Sequence, residues 1–276
     1  MARPSRMERL RREGRAVYAR AHVRIIGSLR EPSWALSEIL LPLLGMFAYV
    51  FIYRALGAPR IYESFAVLGG LLLSYWLAVL WSMASQLYWE KQMGNLEFYM
   101  TAPCSRISVL IGMAIGGIIW TSSRAFAGFA IGIWVLRVPF DWARAPEALG
   151  VFLLTLLALF ALGMWMASLF LLYGREAWHL SNAFQEPIYL ASGLYFPVRA
   201  LGSFVFLAWS VLPLSLGLDA LRQIFFGEAA QGFLSVGLEV GLVAASIPVF
   251  TLLSVVGMRL IEERAKRDGT LVLRWQ

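Results

Sequence analysis

The segment Ser64–Trp89 reads SFAVLGGLLLSYWLAVLWSMASQLYW and contains no Asp, Glu, Lys or Arg over its 26 residues. A helix needs about 20 apolar residues to cross a hydrocarbon core of about 30 Å, so this segment is long enough to span a bilayer. The whole chain has the same character, since 59% of its 276 residues are hydrophobic, 15% are charged and the mean hydropathy is +0.68. Soluble domains are about half apolar and about a quarter charged. The composition therefore indicates an all-α polytopic membrane protein and excludes a soluble enzyme, a disordered chain and a disulfide scaffold.

Further runs with few charges predict six transmembrane helices in all. They are Trp34–Tyr53, Ser64–Trp89, Ile107–Leu136, Ala148–Gly174, Trp178–Leu194 and Phe233–Met258. A seventh apolar run, Ala200–Leu218, contains Gly202, Pro213 and Gly217. We interpret the region from residue 195 to residue 220 as a re-entrant hairpin on the outer side, placed just before the last span. The alternative is a seventh full span.

The distribution of basic residues favours six spans over seven. With six spans, seventeen Lys and Arg residues fall inside, six fall outside and Arg124 lies within a span. Lys and Arg concentrate on the cytoplasmic side of membrane proteins, and seven spans would place the basic C-terminal residues outside. We therefore predict that both termini are cytoplasmic. The predicted domains are an interface helix over 1–30, a membrane domain over 31–260 and a basic tail over 261–276.

The first thirty residues predict an amphipathic helix rather than a signal peptide, which would have an apolar core of about 7–15 residues. Apolar residues recur among nine arginines at helical steps of three and four. These apolar residues are Leu10, Val17, Tyr18, Ala21, Ile25 and Leu29. We expect this helix to lie on the inner leaflet with its apolar face toward the membrane lipids. The alternative is a partly disordered basic tail that only sets the orientation.

Catalytic signatures are missing from the sequence. A phosphate-binding loop places glycine before its lysine, but Lys91 follows Glu90 and Lys266 follows Ala265. The two histidines lie far apart and lack metal-ligand spacing. We therefore predict no catalytic residue, no metal site and no cofactor bound by this chain. The net charge of +7 suits anionic lipid headgroups, and we expect no nucleic-acid partner.

The predicted inner loop, residues 88–106, is the most specific stretch of the sequence. The candidate docking residues among its charged, amide and turn-forming residues are Glu90, Lys91, Gly94, Asn95, Glu97 and Pro103. Leu96, Tyr99 and Met100 would form an apolar stripe on a short helix. Such a helix, lying parallel to the membrane, would present a docking surface to the cytosol. The alternative is a solvated linker between two spans.

Arg124 is the charge within the predicted third span, with seventeen uncharged residues before it and twelve after it. We place it toward the outer half of the membrane, where an ionisable side chain normally faces protein or water. One interpretation is a candidate substrate path, in which Arg124, Ser122, Ser123 and Glu186 contact an acidic cargo. The other is structural, with Arg124 reaching the outer headgroups or pairing with Glu186.

Two Gly-x-x-x-Gly patterns lie on the same predicted helix as Arg124. They are Gly112 with Gly116, and Gly128 with Gly132. Glycines at this spacing permit close helix approach. We predict internal packing rather than a dimer seam, because each four-residue step drifts by about 40° around a helix of 3.6 residues per turn.

Three short motifs, taken in their order and spacing, resemble those of ATP-binding cassette (ABC) exporter permeases of the type-2 family. The inner loop resembles the pattern E…G-x-L-E…P at Glu90, Gly94, Leu96, Glu97 and Pro103. The stretch 187–197 resembles P-x-x-x-x-S-G-x-x-F-P at Pro187, Ser192, Gly193, Phe196 and Pro197. The stretch 212–222 is similar to N-P-L-T…D-x-x-R, with Leu212 in place of the usual asparagine.

The resemblance implies the permease subunit of an ATP-driven exporter in the bacterial plasma membrane. Two copies would pair, and two cytoplasmic ABC ATPase subunits, which bind ATP and Mg, would dock on the loop around Glu90–Glu97. The charges of Glu90 and Glu97 would contact basic groups on the ATPase. The expected cargo is a drug-like or lipid-like amphiphile. The alternatives are lipid-linked polysaccharide export, or an ion-coupled secondary transporter or channel.

Overall fold

The structure, a computed structural model, describes residues 5–173, 179, 182, 185, 187–197, 199, 202 and 212–268. All regular elements in these residues are helical, which confirms the predicted all-α class. The helices are α1 (Arg6–Leu29), α2 (Pro32–Ala55), α3 (Ile61–Leu77), α4 (Gln86–Gln92), α5 (Leu96–Thr101), α6 (Arg106–Leu136), α7 (Ala145–Tyr173), α8 (Pro213–Phe226) and α9 (Val236–Asp268). A π-helical turn, Ala78–Ala84, connects α3 to α4.

Five stretches in the described part of the chain are long and apolar enough to cross a membrane. They are Ala35–Ala55, Ile61–Gln92, Arg106–Leu136, Trp142–Leu171 and Val236–Ile261. These stretches coincide with five of the six predicted spans. The other predicted span, Trp178–Leu194, lies partly outside the described residues, which here are 179, 182, 185 and 187–194, and it stays a prediction.

The last helix, α9, differs at both ends from the predicted boundaries. It begins at Val236 rather than Phe233, because the Phe233 N–H donates to Asp219 Oδ2 of α8 over 2.9 Å instead of entering the helix. It also runs to Asp268, past the predicted start of the basic tail at residue 261. The first part of that predicted tail therefore continues the last helix.

Helix α3 forms the centre of the fold. Thirteen of its seventeen residues are buried, and it packs against α2, α6 and α8. In contrast, α2 is apolar all round and leaves large side chains exposed, among them Leu40, Leu44 and Phe51. A helix that is apolar on every side suits a protein core or a lipid environment. The exposed faces of α2 are therefore typical of a membrane span.

Helix α1 runs parallel to the first three turns of α6. Gly112 of α6 lies against Arg20, and Gly116 lies against Ala21 and Arg24. Because glycine has no Cβ atom, the two helix backbones approach closely at these positions. The predicted internal packing is thus found for this glycine pair. The second pair faces α2 in the same way, through Leu43 and Met46.

The face that α1 presents to α6 contains only part of the predicted apolar stripe. Ala21 of that stripe is buried there beside Arg20, whereas Leu10, Tyr18 and Leu29 of the stripe are exposed. The packed face includes charged residues because α6 offers it glycines and serine hydroxyls rather than large apolar side chains. The interfacial position of α1 stays a prediction, and the exposed side chains are the ones available for lipid.

We predict that Gly116→Leu separates α1 from α6. A Cβ atom at Gly116 would lie 2.9 Å from the Ala21 carbonyl oxygen and 2.8 Å from Arg24 Cβ. Because a backbone atom cannot move aside cheaply, the free energy of unfolding should fall by about 1–3 kcal/mol. Thermal unfolding of the purified protein in detergent measures this loss. Gly150→Leu in α7 is the control, since nothing lies within 4 Å of its Cβ position. Equal melting temperatures for the two variants would contradict the close contact.

Candidate functional site

The inner loop folds as α4 and α5, joined by a turn at Gly94. Gly94 has a φ of 78°, a conformation that favours glycine. Its N–H donates to the Lys91 carbonyl over 3.0 Å, and the Asn95 N–H donates to the Glu90 carbonyl over 2.9 Å. These bonds satisfy carbonyl groups at the end of α4. The predicted short helix is therefore α5, and Pro103 follows its end.

The side chain of Glu90 points toward α1 and is buried. Its carboxylate forms an ion pair with Arg20 and accepts a hydrogen bond of 3.0 Å from Asn95 Nδ2. The Arg20 guanidinium also lies 5.2 Å from the centroid of the Tyr99 ring. Burial and the charge of Glu90 raise the pKa of Tyr99, against the opposing charge of Arg20. We call Arg20, Glu90, Asn95 and Tyr99 the inner cluster.

The inner cluster revises the role that the sequence suggested for Glu90. We expected its carboxylate to contact a basic group on a partner protein, but Arg20 of the same chain already pairs with it. Both side chains are buried, and a buried charge that loses its partner is strongly destabilising. Glu90 therefore fixes the loop to α1. The predicted coupling roles of Lys91 and Glu97 stay predictions.

The loop also carries large apolar side chains on its exposed surface. The exposed fractions are 47% for Trp89, 68% for Met93 and 72% for Phe98. Exposed apolar groups rimmed by polar residues are typical of protein interaction surfaces. These three residues were not among those predicted to dock a partner or to form the apolar stripe of the short helix. The available signal was the presence of large apolar side chains in a loop that is otherwise polar.

A second set of contacts connects the start of α6 to α1. Glu13 accepts hydrogen bonds from the Ser105 N–H over 2.8 Å and from the Ser108 hydroxyl over 2.7 Å. The pKa of Glu13 is lowered from its ordinary value. Burial acts to raise this pKa, but the two hydrogen bonds and the positive charges of Arg12 and Arg9 have the larger combined effect. The loop and α6 are thus both attached to α1.

Arg124 forms a buried ion pair with Glu38 of α2. Its guanidinium lies 4.4 Å from the centroid of the Trp120 ring, and its Nε donates to the Trp120 carbonyl over 3.3 Å. The partner considered in the sequence analysis, Glu186, lies outside the described residues. The sequence analysis did not foresee the pairing with Glu38, because the two residues are far apart in the chain.

The ion pair bears on the predicted position of Arg124. We predicted that Arg124 lies toward the outer half of the membrane, and its depth stays a prediction, but its side chain meets Glu38 near the N-terminal end of α2. The reason is that the first turns of α6, as far as Gly116, run beside α1 and not beside α2. Arg124 therefore lies beside the second turn of α2.

A cavity of about 310 Å³ lies beside this ion pair, between α2, α3, the π-helical turn and α6. Its polar lining comes from Ser37, Glu38, Ser74, Thr121, Arg124, Asn182 and Gln185, and its apolar lining from Leu41, Leu77, Ala78, Trp81 and Ala125. Trp81, in the π-helical turn, donates from Nε1 to Gln185 Oε1 over 2.8 Å. Turns of this kind are frequent at functional sites. The cavity is the candidate site for a small ligand.

The structure brings only part of the predicted substrate path to this cavity. Arg124 lines it, and so does Thr121. Ser122 instead accepts a hydrogen bond of 2.8 Å from the Tyr75 hydroxyl, and Ser123 donates to the Trp120 carbonyl. Neither serine lines the cavity, because successive helical residues point in different directions.

The other two predicted motifs meet at the opposite end of the molecule. A helical segment ends at residue 191, and Gly193 follows with a φ of 59°. Arg222 is fully buried and donates to the carbonyls of Leu194 over 2.9 Å and Phe196 over 3.0 Å. The Ser215 hydroxyl donates to Ser192 Oγ over 3.2 Å. Arg222 therefore holds the turn of residues 192–197 against α8. The sequence analysis had counted this arginine among the outer basic residues.

Residues 16–226 match the sequence profile of the family described as ABC-2 type transporter. The matched range is about three-quarters of the chain and includes both the inner loop and Arg222. The chain belongs to the ABC-2 type transporter family. It is a transmembrane permease of an ABC transporter, from a family that works with ABC ATPase subunits and is generally non-catalytic. No curated protein sequence matches the chain.

The described residues of this ABC-2 permease contain no group of three or more His, Cys, Asp or Glu side chains that could hold a metal ion. The carboxylates of Glu90 and Glu38 are each paired with an arginine.

We predict that Arg20→Met lowers the free energy of unfolding by about 3 kcal/mol, because it leaves the buried Glu90 carboxylate without its cation. Adding Glu90→Gln to the same protein should recover much of this loss. Thermal unfolding in detergent compares both with Arg15→Met, an exposed arginine on α1. An effect of Arg20→Met no larger than that of Arg15→Met would show that the ion pair is not formed.

We predict that Arg222→Gln lowers the free energy of unfolding by about 2–5 kcal/mol, since two buried carbonyls lose a charged donor. The turn at residues 192–197 should also become sensitive to protease. Limited proteolysis and thermal unfolding measure the two effects. Arg144→Gln, an exposed arginine near the start of α7, serves as the control. Protease resistance equal to that of the control would contradict the role of Arg222.

Proposed function

We propose that this chain is the membrane subunit of an ATP-driven exporter in the bacterial plasma membrane. Two copies pair, and two separate ATPase subunits dock on the α4–α5 loop, where they bind ATP and Mg. The observation that carries the proposal is the division of this loop into two sides. Phe98 and Met93 are exposed for a partner, while Glu90 is locked to α1.

The contacts of α1 support a path for the mechanical signal. Closure of the ATPases moves the α4–α5 loop, and the Arg20–Glu90 ion pair carries this movement to α1. Helix α1 in turn packs along α6 and is bonded to its start through Glu13. Since α6 carries Arg124, a displacement of α1 and α6 reaches the ion pair beside the cavity. Alternating access to the cavity would follow from this displacement.

The proposed topology has six spans and both ends in the cytoplasm. The span over residues 178–194 completes the five long helices, and α8 is the second arm of a re-entrant outer hairpin. With 14 residues α8 is about 21 Å long, which is shorter than a hydrocarbon core of about 30 Å. Helix α1 lies at the inner surface, with Leu10 and Tyr18 toward acyl chains and its arginines toward headgroups.

The cavity favours an amphiphilic cargo over the alternatives. Its volume of about 310 Å³ suits a small ligand, and polar groups meet apolar side chains along its wall. A path for lipid-linked polysaccharide would need a longer surface of aromatic and hydroxyl groups. An ion-coupled transporter would need a carboxylate available to its coupling ion, whereas Glu38 is already paired with Arg124. We therefore propose a drug-like or lipid-like amphiphile, taken from the cytoplasm or the inner leaflet.

We predict that Phe98→Ala weakens ATPase binding by about tenfold or more, because an aromatic anchor at an interface contributes about 2 kcal/mol. Glu97→Arg should uncouple ATP hydrolysis from transport, since it reverses a charge on the same short helix. The measurements are co-purification of the ATPase and ATP-dependent flux in reconstituted vesicles. Trp142→Ala is the control, being an exposed aromatic outside the inner loop. Coupled transport at the normal rate by both variants, or uphill transport on an ion gradient without any ATPase, would overturn the proposal.

A further inference from the structure

The wall of the cavity carries one positive and one negative side chain, and these neutralise each other. Glu38 and Arg124 are the charged residues among the described residues that line it. The side chain of Glu38 is 23% exposed and that of Arg124 is 8% exposed, so both are largely removed from solvent. Beside them lie the indole of Trp81 and the alkyl side chains of Leu41 and Leu77. The described lining of the cavity thus combines apolar side chains with polar ones, and its two charged side chains sum to zero net charge.

A ligand with a single charge is poorly matched to such a wall. An anion that binds Arg124 must draw it away from Glu38, which leaves a carboxylate unpaired in a region of low dielectric constant. A cation that binds Glu38 leaves the guanidinium of Arg124 in the same condition. The cost of an unpaired buried charge exceeds the gain from one new contact. A ligand that carries both charges avoids this cost, because each protein charge exchanges one partner for another.

We propose that the cavity binds the zwitterionic headgroup of an amphiphile. Its ammonium group lies against Glu38 and the indole face of Trp81, and its phosphate or other oxyanion lies against Arg124. Quaternary ammonium groups are attracted to indole faces, and an arginine fork matches an oxyanion. A volume of about 310 Å³ holds a headgroup, and the apolar tail lies along Leu41 and Leu77. This inference rests on the proposed export function, whose substrate class it specifies.

The predicted ligand carries an ammonium group and an oxyanion on one apolar chain. Both phospholipids and synthetic zwitterions have these features, so the test must distinguish the two.

The first experiment uses the purified protein in non-ionic detergent, without ATPase or nucleotide. Unlabelled dodecyl compounds displace a tail-labelled dodecylphosphocholine, and fluorescence anisotropy reports the displacement. Dodecylphosphocholine and dodecyl sulfobetaine should each bind at least about tenfold more tightly than dodecyl phosphate or dodecyltrimethylammonium. Binding of dodecylphosphocholine alone would assign the site to the phospholipid headgroup, and similar binding of both zwitterions would assign it to the charge pattern. Equal affinity for all four compounds would overturn the proposal.

Variants of the ion pair test whether these two residues set the preference. Glu38→Gln gives the wall a net positive charge and should move the preference about tenfold toward dodecyl phosphate. Arg124→Gln should move it by a similar factor toward dodecyltrimethylammonium. Glu63→Gln is the matched control, because Glu63 also pairs with an arginine of α2, Arg54, but does not line the cavity. An unchanged order of affinities in both cavity variants, or the same change in the control, would overturn the assignment.

A double variant keeps the test decisive if an unpaired charge prevents folding. Glu38→Gln combined with Arg124→Gln removes both charged residues from the described lining of the cavity, so the protein should bind non-ionic dodecyl glucoside as well as it binds dodecylphosphocholine. Retention of the zwitterion preference in this protein would contradict the inference. Because binding is measured without ATP, its result does not depend on the export function, so each of the two proposals can be contradicted independently of the other. Charge-selective binding without ATP-driven flux would contradict the proposed export function. ATP-driven flux of a cargo without charge-selective binding would contradict this inference.

Discussion

The fold depends on the pairing of charges between helices that are otherwise apolar. A charge in such surroundings is costly unless a partner or several hydrogen bonds satisfy it, so each pair fixes the position of one helix relative to another. In the described part of the chain, three ion pairs do this. They are Arg20 with Glu90, Arg124 with Glu38, and Arg54 with Glu63. Arg222 has the same effect through backbone carbonyls.

These pairs differ in what they connect, and this difference gives each pair its function. The Arg20–Glu90 pair attaches a loop with exposed aromatic and apolar side chains to α1, and α1 packs along α6 on small residues. The Arg124–Glu38 pair connects α6 to α2 beside a cavity and a π-helical turn. Arg222 closes a turn over the buried α3. A movement of the α4–α5 loop therefore has a continuous route of packed and bonded residues to the cavity.

Local features of the sequence were sufficient for the helices. Hydropathy is summed over neighbouring residues, so Ser64–Trp89 indicated a span without knowledge of its neighbours, and the described structure has a long apolar helix there. Glycine and proline mark turns by their own backbone preferences, and the structure has turns at Gly94 and Gly193. The charged residues were harder to interpret, because the effect of a charge depends on the group that it meets. For Glu90 that group is on a helix seventy residues away.

The sequence by itself determined the membrane class, five long apolar helices in the described part of the chain and the family, since these follow from composition and from motifs that are contiguous in the chain. Only the tertiary structure decided that Glu90 faces α1, that Arg124 meets Glu38, and that Arg222 binds the carbonyls of a distant turn. The physical reason is the range of each interaction. Burial of apolar surface can be predicted from residues that are adjacent in the sequence. An ion pair requires two specific side chains that only the packing of the helices brings together.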